Sequence, residues 1–158
     1  MPFYYKDPLI KMPQTQELPD GDTWVLLSPI WYKRSNGDVI FVPPSGKGDM
    51  DSIVRNPFWT TDYGSIPMFA QNIFRKDGVY APAYVVHDWI YTTEMFDRAL
   101  CDMILCEMMQ ELGAWWLTRN IVYEAVRLGG GFTWDKHDLK VTSGLRDYAQ
   151  QFDQSLPS

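Results

Sequence analysis

Apolar positions along this chain change period near its middle, and that change predicts the elements. Between Trp24 and Val42 they fall in short runs, Trp24 to Leu27, Ile30 to Lys33 and Asp38 to Val42, broken by Ser28-Pro29 and Ser35-Asn36-Gly37. Asn-Gly between two such runs favours a hairpin, because both residues tolerate the positive φ of a tight turn. A small antiparallel sheet follows, edged by Pro43 and Pro44. From Ala81 the spacing becomes three and four. Pro82 suits a first helical turn, where its missing N–H has no partner to lose, and the pattern predicts a helix from Ala81 to Thr92 or Thr93. Asp97 then reads as an N-cap, with a second helix from Arg98 to Met109 or Leu112 stopped by Gly113. The short joint makes these two helices antiparallel neighbours. A third helix spans Ala114 to Leu128, with Gly129-Gly130-Gly131 as its end.

The fold class is therefore α+β, a small antiparallel β-sheet in the N-terminal half packed on a three-helix C-terminal half, with the helix pair at its centre. Residues 1–22 read as an irregular arm, 23–132 as one domain and 133–158 as a polar tail with one short helix near Leu145 to Phe152. The arm is rich in proline but carries Phe3, Tyr4, Tyr5, Leu9 and Ile10. Packing on its own domain and docking on a partner chain are both open to it. Ser45 to Asn56, rich in glycine and charge, reads as a loop insertion.

Composition narrows the classes. Seven Trp, nine Tyr and eight Phe demand an ordered core. The net charge of −6 speaks against a nucleic-acid binder, which needs clustered Lys and Arg to release counterions. No apolar run has the length of a transmembrane segment, and Met1 to Asp22 lacks the hydrophobic stretch of a signal peptide, so the expected site of synthesis is the cytoplasm. Cys101 and Cys106 fall on one predicted helix, too far apart to bridge, and read as small buried groups.

The candidate chemistry lies on the helix pair. Tyr84, His87, Asp88 and Tyr91 share a face of the first helix through spacings of three and four. Asp102 sits in the apolar stripe of the second, formed by Ala99, Leu105, Cys106 and Met109, so its carboxylate is expected to face the first helix. A carboxylate opposite a histidine fixes the imidazole tautomer and stabilises the imidazolium. His87 would then be a general base, Asp102 its orienter, and Asp88 free for another task. The competing account makes the same groups structural, with Asp102 bridging to Arg98 one turn back. His137, in Trp-Asp-Lys-His-Asp, reads as a solvated loop histidine. Upstream, Thr60-Thr61-Asp62-Tyr63-Gly64-Ser65-Ile66-Pro67 makes an irregular turn. Its carboxylate and free carbonyls are raw material for a hard-cation site, or an ordinary capped turn.

The succession WVLLSPIWY, VIFVP, TTDYGSIP, YAPAYVVHDWIY, FDRALCDMILCEMMQELG and YEAVRLGG resembles the family known only as domain of unknown function 1353, spread through tailed bacteriophages and prophages. That resemblance covers roughly Trp24 to Phe132. It implies a phage setting: synthesis in the bacterial host, incorporation in the particle, and other virion or tail proteins as partners. A more distant resemblance, carried by HDWIY and by Arg98 and Asp102 on the next helix, is to the bacterial and fungal branch of secreted phospholipase A2. It implies His87 as general base, Asp102 as its partner and Tyr91 as a supporting hydrogen bond. It also implies Ca²⁺ held by Asp62, Asp88 and a carbonyl at Tyr63 or Gly64. The disulfides of the secreted enzymes have no counterpart here. Two functions follow as expectations: a Ca²⁺-dependent hydrolase acting on an ester or amide of lipid or cell envelope, or a structural virion component without activity.

Overall fold

The hairpin forms where the alternation places it. In a computed structural model, which describes residues 15–21, 23–61 and 80–156 save the side chains of 130–133, strand β3 (Ile30–Lys33) pairs antiparallel with β4 (Val39–Val42). Gly37 supplies the turn's positive φ, +95°. Ile30 and Tyr32 are buried while Lys33 is exposed, and Trp31 lies opposite Phe41 with ring centroids 5.6 Å apart. Among the described residues, however, the strand content is divided into two two-stranded sheets. The second pairs β1 (Thr15–Glu17), inside the predicted arm, with β2 (Trp24–Leu26). The rest of the arm lies outside the described residues.

The stretch expected to be a loop insertion holds a short helix, α1 (Met50–Arg55), whose N-cap Asp49 accepts from the Ser52 N–H. Ile53 is buried beneath it, and Ser45 is tied to Leu26 through backbone and hydroxyl, each at 2.7 Å. One buried apolar residue in a polar segment is too little periodicity to announce a helix of six residues.

Helix α2 (Ala81–Thr92) is buried on nearly every side; of Ala81 through Tyr91 only Asp88 is partly open. Such a helix is a core element rather than an amphipathic cover. Helix α3 (Arg98–Glu111) starts at Asp97, whose Oδ1 accepts from the Leu100 N–H at 2.8 Å, and buries Cys101, Asp102, Ile104, Leu105, Met108 and Met109. The pair is antiparallel, since Tyr91 meets Arg98, the Ile90 carbonyl meets Cys101, and His87 meets Asp102.

Both helices end in the same capping pattern with different residues. At the end of α3, Gly113 N–H reaches the Gln110 carbonyl and Ala114 N–H the Met109 carbonyl, with Gly113 at φ +91°. At the end of α2, Glu94 N–H reaches Tyr91 and Met95 N–H reaches Ile90, but the left-handed position is held by Glu94 at φ +48°. A non-glycine residue there costs on the order of 1 kcal/mol, so other contacts must hold it.

Helix α4 (Trp116–Trp134) runs through the three glycines expected to end it. Each glycine weakens a helix by about 1 kcal/mol against alanine. Tertiary contacts on both sides offset this: the Arg98 guanidinium bonds the Val126 and Arg127 carbonyls, and Trp134 packs on Tyr91 at 4.9 Å. Beyond it, α5 (Leu139–Ala149) starts well before the predicted short helix and buries Thr142, Leu145, Tyr148 and Ala149. Tyr148 stacks on Phe58 at 4.2 Å and donates to the Pro44 carbonyl at 2.7 Å, so the C-terminal segment closes the sheet side of the core. No helix among the described residues is long and apolar enough to cross a membrane.

The two thiols differ in this core. Cys101 has no exposed surface, and burial pushes its thiol up from 9.0 to about 12, whereas Cys106 is only partly buried. Since only the thiolate is nucleophilic, iodoacetamide at mildly alkaline pH should label Cys106 first and Cys101 only on unfolding, read by mass spectrometry. The same shift gives a sign for stability. The unfolded chain loses the Cys101 proton first, so this contribution is whole below pH 9 and declines as pH climbs toward 12. Equal labelling of both thiols in the native protein would contradict this packing.

Candidate active site

A buried carboxylate joins three helices. Asp102 on α3 has no exposed surface. Its Oδ1 lies 3.0 Å from His87 Nε2 on α2, and its Oδ2 accepts from Arg127 Nη1 on α4 at 2.9 Å. The spacing of Asp102 within the α3 stripe thus places it where the sequence predicts. Its cationic partner is not Arg98, one turn back, but Arg127 from the third helix. With both oxygens accepting, the carboxylate fixes the neutral ring of His87 as the Nε2–H tautomer and leaves the Nδ1 lone pair to take a proton. The His87 residue is buried, with 11% of its side chain exposed. The hydrogen bond to Asp102 raises the Arg127 guanidinium above its ordinary value.

Arg98 has a different task. Its Nε donates to Tyr91 Oη at 3.1 Å, and its Nη2 holds the α4 carbonyls just described. It therefore fixes Tyr91, whose ring lies 5.2 Å from that of His87. Burial pushes the Tyr91 phenol up and the Arg98 bond partly opposes this, so the hydroxyl stays neutral at ordinary pH. Tyr84, one turn before His87, is buried and its phenol is likewise raised by lost hydration.

The remaining predicted residues divide. Asp88 points its Oδ2 at Thr61, which donates its hydroxyl at 2.5 Å. Thr61 itself is tied to Trp24 by two backbone bonds, so the segment entering the Asp62 turn is anchored to β2 beside α2. Asp62 and Gly64, the other expected cation ligands, lie outside the described residues, as does Tyr63. Among the described residues no three His, Cys, Asp or Glu side chains cluster closely enough to hold a metal ion.

Three participants escaped sequence reasoning. Arg127 sits in YEAVRLGG, where nothing local marks it as the partner of a residue on another helix. Thr61 lies within the singled-out turn, but that turn's carboxylate and carbonyls, not a hydroxyl, are what its sequence advertises. His137 is not a solvated loop group: its Nδ1 lies 2.9 Å from Glu94 Oε1, and its ring packs on Tyr91 and Trp134 at 5.8 and 5.4 Å. Tyr91 is thus flanked by both histidines of the chain. The left-handed turn at Glu94 is what aims that carboxylate at His137, and no sequence period reports such a turn.

If Arg127 holds Asp102, replacing it alone leaves a buried carboxylate with one partner. Arg127→Met should lower the urea midpoint of unfolding, because the buried carboxylate loses a charge-assisted hydrogen bond. The loss should shrink when Asp102→Asn is already present, the signature of direct coupling. Additive losses would place the two residues in separate roles.

Comparison with known proteins adds the family. No curated protein and no solved structure matches the chain. A family profile described as "Protein of unknown function (DUF1353)" matches residues 24–126, from β2 through most of α4, and so includes His87, Asp88, Tyr91 and Asp102. The chain belongs to the DUF1353 family.

Proposed function

We propose that this protein is a hydrolase in which His87 activates water against an ester or amide of a lipid or cell-envelope polymer met during phage infection. The observation that carries this reading is the His87 Nε2 to Asp102 Oδ1 contact at 3.0 Å, with Asp102 itself clamped by Arg127. His87 Nδ1 takes a proton as water attacks the carbonyl, Asp102 stabilises the imidazolium, and the ring returns the proton to the leaving oxygen or nitrogen. Arg127 acts as a positioning residue by keeping the carboxylate from turning away. Water attacks directly, which suits a chain with no Gly-x-Ser-x-Gly turn and with both thiols pushed up by burial.

Asp88 offers one carboxylate ligand to Ca²⁺, with Asp62 and the Gly64 carbonyl of the upstream turn as its proposed companions. Bound there, the ion would polarise the substrate carbonyl and stabilise the oxyanion. A second reading rests on Trp115 and Trp116, 63% and 54% exposed at the start of α4. In it the carboxylate clamp only holds helices together, and the indoles dock on a neighbouring protein of the phage particle.

Hydrolysis of phosphatidylglycerol vesicles and of peptidoglycan fragments, each with Ca²⁺ and with chelator, separates the two. The hydrolase reading expects turnover with Ca²⁺ that chelator removes. It also expects a loss of about 10²- to 10⁴-fold in His87→Gln with the fold intact, and Ca²⁺ binding heat that disappears in Asp88→Ala. Turnover unchanged in His87→Gln would remove the base, and no turnover on any substrate, with the chain present in purified particles, would favour the docking role.

A further inference from the structure

Away from His87, a cavity of about 360 Å³ opens between the end of α2, β4 and α5. Its apolar wall is Phe41, Trp89 and Ala149, all buried, with Met95 at the rim. Its polar wall is Arg146, Gln150, Gln154 and the strained turn at Glu94. The volume lies at the small end of ligand pockets, and the lining has their usual make-up, an apolar body with a few convergent polar groups.

The charge in this wall is what identifies a ligand. Arg146 Nε donates to the Thr93 carbonyl at 2.5 Å and its Nη2 to the Glu94 carbonyl at 2.9 Å. It makes no ion pair among the described residues, and its Nη1 has no partner there. The nearest acid in the wall, Glu94, is turned to His137. Two backbone bonds therefore hold the guanidinium of this exposed residue at the edge of an aromatic slot, where no carboxylate among the described residues pairs with it, in a chain whose net charge is −6. A fixed guanidinium favours a carboxylate, since little side-chain entropy remains to be lost and the paired N–H groups match its oxygens. Gln150, exposed at the mouth, adds an amide donor.

We propose that this cavity binds a small organic carboxylate with an aromatic or branched apolar body, its charge on Arg146 and its body against Phe41 and Trp89. The site is independent of the chemistry at His87 and stands whether or not the protein is a hydrolase.

The full chain is titrated with 4-phenylbutyrate and, separately, with 4-phenyl-1-butanol, which has the same body without the charge. The Trp89 indole N–H and the Met95 methyl are followed by NMR. Saturable shifts at both positions are expected for the carboxylate. Binding should be about tenfold or more weaker for the alcohol and for Arg146→Gln, as loss of a charge-assisted bond requires. Gln150→Trp, which fills the mouth without touching the turn, should abolish the shifts and serves as the control if Arg146→Gln fails to fold. No saturable shift at millimolar carboxylate, equal binding of the alcohol, or undiminished binding in Gln150→Trp would overturn the proposal.

Discussion

A carboxylate with no exposed surface sits at the junction of α2, α3 and α4, and the helical half of the molecule is arranged so that it is tolerable there. Removing an ionised group from water costs several kcal/mol unless partners replace the lost hydration. Asp102 receives His87 from one side and Arg127 from the other. That need fixes the relative height of three helices, because a shift of one turn in α4 or α2 would carry a partner about 5 Å away.

A second set of polar contacts holds the other end of α2. Glu94 adopts the conformation that Gly113 takes at the end of α3, although it has a side chain to accommodate. Arg146 secures the two carbonyls of that turn and His137 secures its carboxylate, so α5 and the end of α4 are drawn onto α2. The two clusters meet at Tyr91, whose ring lies between His87 and His137 and whose hydroxyl is held by Arg98. Residues far apart in the chain thus surround one phenol, which couples the position of His87 to the packing of the C-terminal helices.

Much of this was legible in the sequence, for definite reasons. The limits of α2 and α3 were readable because Pro82, Asp97 and Gly113 are local signals acting within one turn of where they stand. The opposition of His87 and Asp102 was readable because a short joint makes neighbours antiparallel and the helical period then sets which residues meet. What stayed hidden depended on distant contacts. The continuation of α4 through Gly129 to Gly131 rests on Arg98 and Trp134, α1 rests on one buried isoleucine, and the division of the strands rests on β1 emerging from a proline-rich arm. Arg127 could not be assigned to Asp102 without the third helix in place. The turn from Asp62 to Gly64 lies outside the described residues, so the cation ligands expected there belong to the functional proposal alone.

The central claim is that Asp102, as an acceptor on both oxygens, fixes the neutral ring of His87 with its proton on Nε2. Nitrogen chemical shifts of a ¹⁵N-histidine-labelled sample at alkaline pH test this directly, with His87→Gln to assign the signal. The account predicts a protonated Nε2 and a bare Nδ1 for His87, reverting to a tautomer mixture in Asp102→Leu. A proton on Nδ1 in the unaltered protein, or a ring unchanged by loss of Asp102, would contradict it.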